Sequence, residues 1–330
     1  MSYIGESFLT KHDRRKFMEH QFHQWIKQNF KQASPDLGDD SHVIVGPGDD
    51  AAILRIDSDR CILLATDTIA QGTHFDLGKH DLESVGRKAL AVNLSDIAAM
   101  GGRPESAVLN FMLPKDFGIE EAKSIFTGVE KLASQFDVAI VGGDSNRWDG
   151  KLVVGATVLG TREKSQAGWS IDGANPGDAI IVTGEFGGSI HGRHMTFEPR
   201  VELAVYLAQK YHINAATDVS DSLSLDLNAM LLSSELKLGA DLELATIPIS
   251  NDVEETEPAK RLERALTDGE DFELILAVAP EQVEQLLADD WIATKQYSLA
   301  QIGTFTDKHN QLRATDDGEQ TEIQPRGYIH

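Results

Sequence analysis

One arrangement recurs along the 330-residue sequence. A short apolar run leads into a small residue or glycine and then an aspartate. It occurs as Cys61-Ile62-Leu63-Leu64-Ala65-Thr66-Asp67 and as Val138-Ala139-Ile140-Val141-Gly142-Gly143-Asp144. It occurs again as Ala215-Ala216-Thr217-Asp218, continuing Val219-Ser220-Asp221. Buried strands of open α/β folds deliver their next residue to the sheet edge, where ligands bind. Glycine beside the acid lets a ligand approach the backbone. An aspartate after a strand can equally cap a helix or make a turn. Three occurrences together favour a ligand site. Gly46-Pro47-Gly48-Asp49-Asp50 adds two adjacent carboxylates on a glycine turn. Such neighbours disfavour each other's ionisation unless a cation sits near, or water screens them in an exposed loop.

A donor set made only of oxygen suits Mg²⁺ or Ca²⁺ and not zinc. The sequence has no EF-hand spacing, and its 11 histidines form no HExxH pattern. Mg²⁺ commonly shares its shell with substrate phosphates, so the acidic set reads as a Mg–nucleotide site. It is not a standard one. There is no GxxxxGK[ST] loop and no kinase-type HRD…DFG set. Gly184-Glu185-Phe186-Gly187-Gly188-Ser189 follows a strand-like run but misses the dinucleotide fingerprint, and reads as a plain turn.

Composition narrows the classes. Lys and Arg number 30 against 53 Asp and Glu, a formal charge of −23. Hydrophobic residues make up 41% and charged residues 25%, ordinary for a globular chain and against disorder. No run concentrates the basic residues that a phosphate backbone requires, which argues against nucleic acid as partner. The acid excess is otherwise a soluble, self-repelling surface. The lone cysteine, Cys61, lies in an apolar run and reads as a buried thiol. Neither a signal core nor a membrane-length apolar stretch is evident, so a reducing cytoplasm is the expected compartment.

These residues need elements to position them. Residues 14–30 have helical spacing, with Met18, Phe22, Trp25 and Ile26 on one face. Short strands are expected over 42–45, 51–56 and 61–66. A long helix is expected over 82–100, stopped by Gly101-Gly102 and Pro104. It carries Asn93 and Asp96 on one face, among Ala, Leu, Val and Ile. A helix apolar nearly all round belongs in a core, where a carboxylate needs a metal or a positive partner. The other reading is an exposed polar stripe. Strands over 106–113, 138–141 and 152–159 and a helix over 119–135 follow. The polar, glycine-containing stretch 160–176 reads as a domain boundary. Beyond it come strands at 179–183, 215–217 and 272–278, and helices at 201–211, 223–232, 258–266 and 281–288, with an acidic loop at 251–258. Both halves mix the two element types, so the class is α/β or α+β. The expected domains are 1–160 and 161–330.

At this point the sequence resembles the thiamine-monophosphate kinase family. That family lies in the superfamily of aminoimidazole ribotide synthetase and selenophosphate synthetase. The matching stretches are GPGDDAAIL (46–54), TDTIAQGTHF (66–75), KALAVNLSDIAAMGGRP (88–104), VGGDSNR (141–147), GANPGDAIIVTG (173–184), DVSDSL (218–223) and DGEDFEL (268–274), in family order over most of the chain. The resemblance implies two mixed α/β domains. The N-terminal one binds ATP and Mg²⁺ and pairs with its twin, the strands of a homodimer closing a shared barrel; the C-terminal one covers the cleft. It implies metal-binding positions at Asp50, Thr66, Asp67, Asp96, Asp144, Asp218 and Asp221, and nucleotide contacts at Gly143, Asp144 and Ser220. It implies thiamine monophosphate contacts at His74 and Glu270; His74 is otherwise a structural histidine beside Phe75. The implied reaction is direct, in-line transfer of the ATP γ-phosphoryl group to the substrate phosphate, giving thiamine diphosphate. Several Mg²⁺ ions hold the phosphates, and no residue acts as acid or base.

Four positions depart from the family pattern. Ile171 stands where an arginine touches the ATP phosphates, and Ser222 where the Asp-x-Ser-Asp-Gly-Leu motif has glycine. Phe126 aligns with a tyrosine near the adenine, and Pro325 with an aromatic that packs on thiamine. Arg147, Arg162 and Arg193 are candidate replacements for the missing cation. The alternative is a divergent superfamily member that binds nucleotide without kinase activity, or one that acts on another acceptor. Cysteine placement speaks against selenophosphate synthesis and against hydrogenase maturation.

Overall fold

The structure is a computed structural model that describes residues 43–45, 49–55, 59–163, 169–316 and 319–327. The helix expected at 14–30, Gly46-Pro47-Gly48, part of the 160–176 stretch and the last three residues lie outside the described residues.

Two sheets carry the fold. The first has the order β1-β2-β3-β6-β4-β5. Its strands are β1 (Val43–Val45), β2 (Ala52–Arg55), β3 (Arg60–Ala70), β4 (Arg103–Pro114), β5 (Ala139–Trp148) and β6 (Val153–Glu163). All neighbours are antiparallel except β4 and β5. The second sheet has the order β13-β12-β9-β11-β7-β10-β8. It comprises β7 (Ala179–Thr183), β8 (Ile213–Asp218), β9 (Gly239–Glu243), β10 (Leu274–Val278), β11 (Leu299–Thr306), β12 (Leu312–Asp316) and β13 (Glu319–Glu322). Strands β7, β8 and β10 pair antiparallel as short, apolar, buried segments. Among the described residues the first sheet does not close into a barrel; β1 and β5 are its edges.

Helix α1 (Leu82–Ala99) starts where the Asp81 carboxylate accepts the Ser84 N–H at 2.7 Å. It ends as expected: Gly101 adopts φ +66°, and a Cβ there would collide with the Trp169 ring. It is buried nearly all round, as its composition requires. It packs on β3 and β6, on α2 (Ile119–Gln135), and on β8 of the second sheet, so it is the shared wall of both halves. The α1–α2 crossing is close because a Cβ on Gly86 would run into the Ile125 carbonyl, and one on Gly128 into that of Glu83. The remaining helices are α3 (Val201–Lys210), which packs on α1 and β4, α4 (Leu223–Ser233), which packs on β8, α5 (Pro258–Thr267), which packs on α4, and α6 (Pro280–Leu287) and α7 (Asp290–Thr294). Among the described residues no helix is long and apolar enough to cross a membrane.

Three expected strands run well past their expected ends, β6 among them, which continues from Leu159 to Glu163, and β9, β11, β12 and β13 were not expected. β3 does not stop at Thr66; its pairing with β6 runs unbroken from Arg60↔Glu163 to Ala70↔Val153. β5 continues through Gly142, Gly143 and Asp144 to Trp148. Asp67 and Asp144 therefore stand inside strands, and only Asp218 ends one. Backbone pairing is indifferent to a polar side chain that can reach a cleft or solvent, so an aspartate does not end a strand.

Candidate functional site

A cavity of about 340 Å³ opens between α1 and the two sheets. Its lining includes Asp50, Asp67 and Asp96 from the first half and Asp218, Ser220 and Glu270 from the second, together with His74. Each arrives by a different local route. Asp50 precedes β2, and its Oδ1 accepts the Thr217 hydroxyl at 3.3 Å. Asp67 lies beyond the last β2–β3 pair, Ala52↔Leu64, where that edge of β3 is open. There its N–H donates to Asn93 Oδ1 at 3.0 Å, while Asn93 Nδ2 is tied to the Ala89 carbonyl at 3.1 Å. Buried Asn93 thus serves as a substitute strand partner that fixes Asp67 against α1. Asp96 sits one turn further along the same helix. Ser95 Oγ donates to Asp218 Oδ2 at 2.5 Å. His74 lies in the turn after β3, its Nδ1 accepting the Ala70 N–H at 3.0 Å, which leaves the neutral ring's proton on Nε2.

Glu270 is brought beside Asp218 by backbone pairing past the end of β8. Glu270 N–H donates to the Ser220 carbonyl at 2.7 Å, Phe272 N–H to that of Val219 at 2.8 Å, and Val219 N–H to that of Glu273 at 2.8 Å. Glu270 and Phe272 both hold left-handed backbone, φ +62° and +52°, without being glycine. The Gly187-Gly188-Ser189 turn supports this segment and offers no phosphate cradle. Its amides are already spent on carboxylates, Gly187 N–H on Asp271 at 3.1 Å and Gly188 N–H on Asp268 at 2.9 Å. Ser189 Oγ donates to the Glu270 carbonyl at 2.6 Å.

The electrostatics are those of crowded acids, Asp218 buried and Asp50 and Asp96 partly so. Burial, then the charges of Asp218 and Asp49, push the Asp50 carboxyl well above the usual range. Burial, then Asp67, Asp218 and Asp50, do the same to Asp96. Burial raises Asp218 to about 7, the Ser95 hydroxyl opposing it and Asp67 and Asp221 adding to it. Asp50 Oδ2 is buried with no hydrogen-bond partner. Oxygen donors of this kind, raising one another and incompletely satisfied, fit a hard divalent cation. Among the described residues no three His, Cys, Asp or Glu side chains already stand in a metal-holding group.

Thr66, Gly143, Asp144 and Asp221 do not line this cavity. Thr66 is on the opposite face of β3 from Asp67 and bonds the Ala156 carbonyl at 3.1 Å and Thr157 Oγ1 at 2.8 Å. Register carries Asp67 through Ala156 and Leu109 to Gly143, three strand spacings, or about 14 Å, across the sheet. Asp144 is exposed, and its carboxylate accepts Asn146 Nδ2 at 2.8 Å. Gly143 has a packing reason to be glycine: a Cβ would collide with the Leu109 carbonyl. The Asp221 N–H donates to Asp226 Oδ2 at 3.0 Å.

The β5 side carries its own groove, about 680 Å³, lined by Phe111, Ile119, Lys123, Phe126, Ser145 and Arg147 among others. Of the three candidate cations, Arg147 lies here. Arg193 is committed to Asp252 at 2.8 Å and Asp271 at 3.0 Å, and Arg162 donates to the Met100 carbonyl at 3.0 Å. Ile171 is buried in the second apolar cluster, and its N–H donates to Asp49 Oδ2 at 3.1 Å. Ser222 is likewise occupied structurally, since its hydroxyl accepts the Leu225 N–H as the cap of α4 and donates to the Arg326 carbonyl at 2.7 Å.

Four contributors were not anticipated from the sequence: Lys88, Ser95, Asp226 and the Asn93 bond to Asp67. A lysine in the middle of an apolar helix was the available signal, since a buried ammonium demands an acceptor. Lys88 is fully buried and reaches Glu270 Oε1 at 2.7 Å. Burial alone would raise the Glu270 carboxyl, but His194 and the Lys88 ammonium pull it down to about 2.

The AIR synthase related protein, N-terminal domain family matches residues 48–162. A thiamine-monophosphate kinase of Rhodopirellula baltica is 41% identical over 298 residues, covering 87% of this chain and 92% of the relative. One of Bacillus subtilis is 33% identical over 313 residues, covering 88% and 94%. A solved structure described as AaThiL complexed with AMPPCP and TMP superimposes with a TM-score of 0.77 at 25% identity, covering 98% of this chain and all of the other.

Proposed function

The chain belongs to the thiamine-monophosphate kinase family, and on that premise we propose that it transfers the γ-phosphoryl group of ATP to the phosphate of thiamine monophosphate, giving thiamine diphosphate and ADP. The observation that carries this reading is the single cavity shared by Asp50, Asp67, Asp96, Asp218, His74 and Glu270. Relatives that bear this activity in their names cover most of the chain. The solved relative with AMPPCP and TMP has the same fold.

Two phosphate-bearing anions meet here at a wall of acids. Asp50, Asp67, Asp96 and Asp218 would hold Mg²⁺; Asp144, three strand spacings across the sheet, would serve the nucleotide instead, and Thr66 and Asp221 stand outside this cavity. An ion held there would supply charge neutralisation for the two phosphate groups. The protein's own work is positioning. His74 Nε2 donates a hydrogen bond to the acceptor phosphate. Glu270 orients the thiamine part of the substrate beside Ser220. The attacking phosphate oxygen is already ionised near neutral pH, so no residue is needed as general base. The groove at Phe126 takes the adenine, and Arg147 supplies the cation that Ile171 does not.

The same reading makes residues 1–160 the nucleotide and pairing domain and 161–330 the covering domain, in the cytoplasm. It also makes the protein a homodimer. The edge strand β5 exposes Val141 and Trp148, and the face of the first sheet away from α1 exposes Leu64 and Val108. Unpaired strand edges with apolar neighbours invite pairing, and a second copy would close the barrel.

The test is incubation with Mg–ATP and thiamine monophosphate, followed by chromatography for thiamine diphosphate. Product that disappears in Asp67→Asn and Asp144→Asn is expected. Nucleotide binding without any product, or turnover only with another acceptor, would replace this reading by a divergent member of the superfamily.

A further inference from the structure

We infer that Lys88 is a positioning residue for the acceptor substrate, acting through Glu270. The inference rests on the kinase reading and on the geometry of one buried cluster. Lys88 is 0% exposed, His194 1% and Glu270 2%. The ammonium has three polar atoms within hydrogen-bond distance. They are Glu270 Oε1 at 2.7 Å, the His74 carbonyl at 2.9 Å and His194 Nδ1 at 2.9 Å. His194 Nδ1 also stands 3.0 Å from Glu270 Oε2; that one nitrogen either accepts from the ammonium or donates to the carboxylate, and in both cases packs against the pair. One ammonium therefore pins the two residues, His74 and Glu270, that the family resemblance assigns to the acceptor, and both line the cavity.

Stability is a poor reason for this arrangement. Burying an ion pair costs desolvation that its attraction barely returns, and well-packed apolar side chains of similar size do as well or better. Placement is the better reason. Glu270 and Phe272 hold left-handed backbone without being glycine, which persists only where surroundings over-determine it. Ser189 Oγ holds the Glu270 carbonyl from one side, and Lys88 holds the carboxylate from the other. The His74 carbonyl and His194 fix the ammonium, and the ammonium fixes the carboxylate.

A double-mutant cycle on the full-length protein tests this, with KM for thiamine monophosphate and for Mg–ATP read separately. Lys88→Met is expected to raise KM for thiamine monophosphate about tenfold, the size of one charged hydrogen bond, with KM for ATP unchanged. Glu270→Gln is expected to do likewise. Adding Lys88→Met to Glu270→Gln is expected to raise KM no further, because the residue through which Lys88 acts is already gone. Additive effects, an equal rise in both KM values, or an unchanged KM in Lys88→Met would each overturn the assignment. Should Lys88→Met fail to fold because it strands a carboxylate, Glu270→Gln with and without Lys88→Met still decides: neither strands one, and unequal KM values overturn it. A wild-type protein that forms no thiamine diphosphate overturns the kinase reading, and this inference with it.

Discussion

Ser95 Oγ donates to Asp218 Oδ2 at 2.5 Å, joining the central helix of the first half to the last residue of an edge strand in the second. The bond is the main influence holding Asp218 down against burial and against the charges of Asp67 and Asp221. In Ser95→Ala the carboxyl rises further, so less of it is ionised to hold a cation. The Mg²⁺ concentration for half-maximal activity should increase about tenfold, the usual effect of removing a hydrogen bond that orients a ligand. A magnesium titration of initial rates checks this.

The acidic wall should destabilise the protein when no divalent ion is present. Asp96 is raised above its unfolded value, so its ionisation costs stability as pH rises from about 4 towards its folded pKa. Asp96→Asn removes that cost. Metal-free Asp96→Asn should unfold about 1 kcal/mol later than metal-free wild type at pH 7 while losing activity. Mg²⁺ should raise the melting temperature of wild type more than that of the variant, and chelation should reverse the rise. Calorimetry with EDTA and with Mg²⁺ reads all three.

Glu270 has the opposite sign. Its folded pKa, about 2, lies below the ordinary 4.5, so the ionised form is favoured by folding. The contribution is complete above about 4.5 and is lost as pH falls towards 2. It is worth about 3 kcal/mol in full. The stability difference between wild type and Glu270→Gln should therefore be largest near neutral pH and shrink steadily below about 4.5. Urea denaturation of both proteins from pH 7 to pH 3 measures it.

The nucleotide groove should be separable from the acceptor cavity. Phe126→Ala removes an exposed ring from the groove wall, and Arg147→Ala its cation. Each should raise KM for ATP about tenfold, the size of one lost base stack or charged contact. KM for thiamine monophosphate should not change. Steady-state kinetics with each substrate varied in turn provides the check.

Restoring the family arginine should not help. Ile171 is 9% exposed and packed in the apolar cluster of the second sheet. Ile171→Arg forces a guanidinium into that cluster and should cost about 2 kcal/mol. No gain in ATP affinity is expected. Thermal denaturation together with nucleotide binding distinguishes this outcome from a restored contact.

Much of this molecule was written in local patterns. The bounds of α2 and β7 follow from periodicity and from flanking glycine and aspartate, and α1 needed only its apolar circumference to be read as a core helix. The acids Asp50, Asp67, Asp96 and Asp218 could be singled out because each stands beside glycine, a small residue or an apolar run, a relation within a few residues. The strands β9, β11, β12 and β13 were not legible, since their partners in the sheet, and not their own residues, make them strands.

What the order of residues could not decide is who meets whom. Lys88 and Glu270 are 182 positions apart, and Ser95 and Asp218 are 123 apart. Nothing in either neighbourhood names the partner. Asp67 and Asp144 follow the same local motif, yet one enters the cavity and the other stands on an exposed strand three places across the sheet. Side-chain chemistry was set by composition along the chain. Convergence was set by sheet register and by one buried helix touching both sheets, because contacts between distant segments exist only once the backbone has been packed.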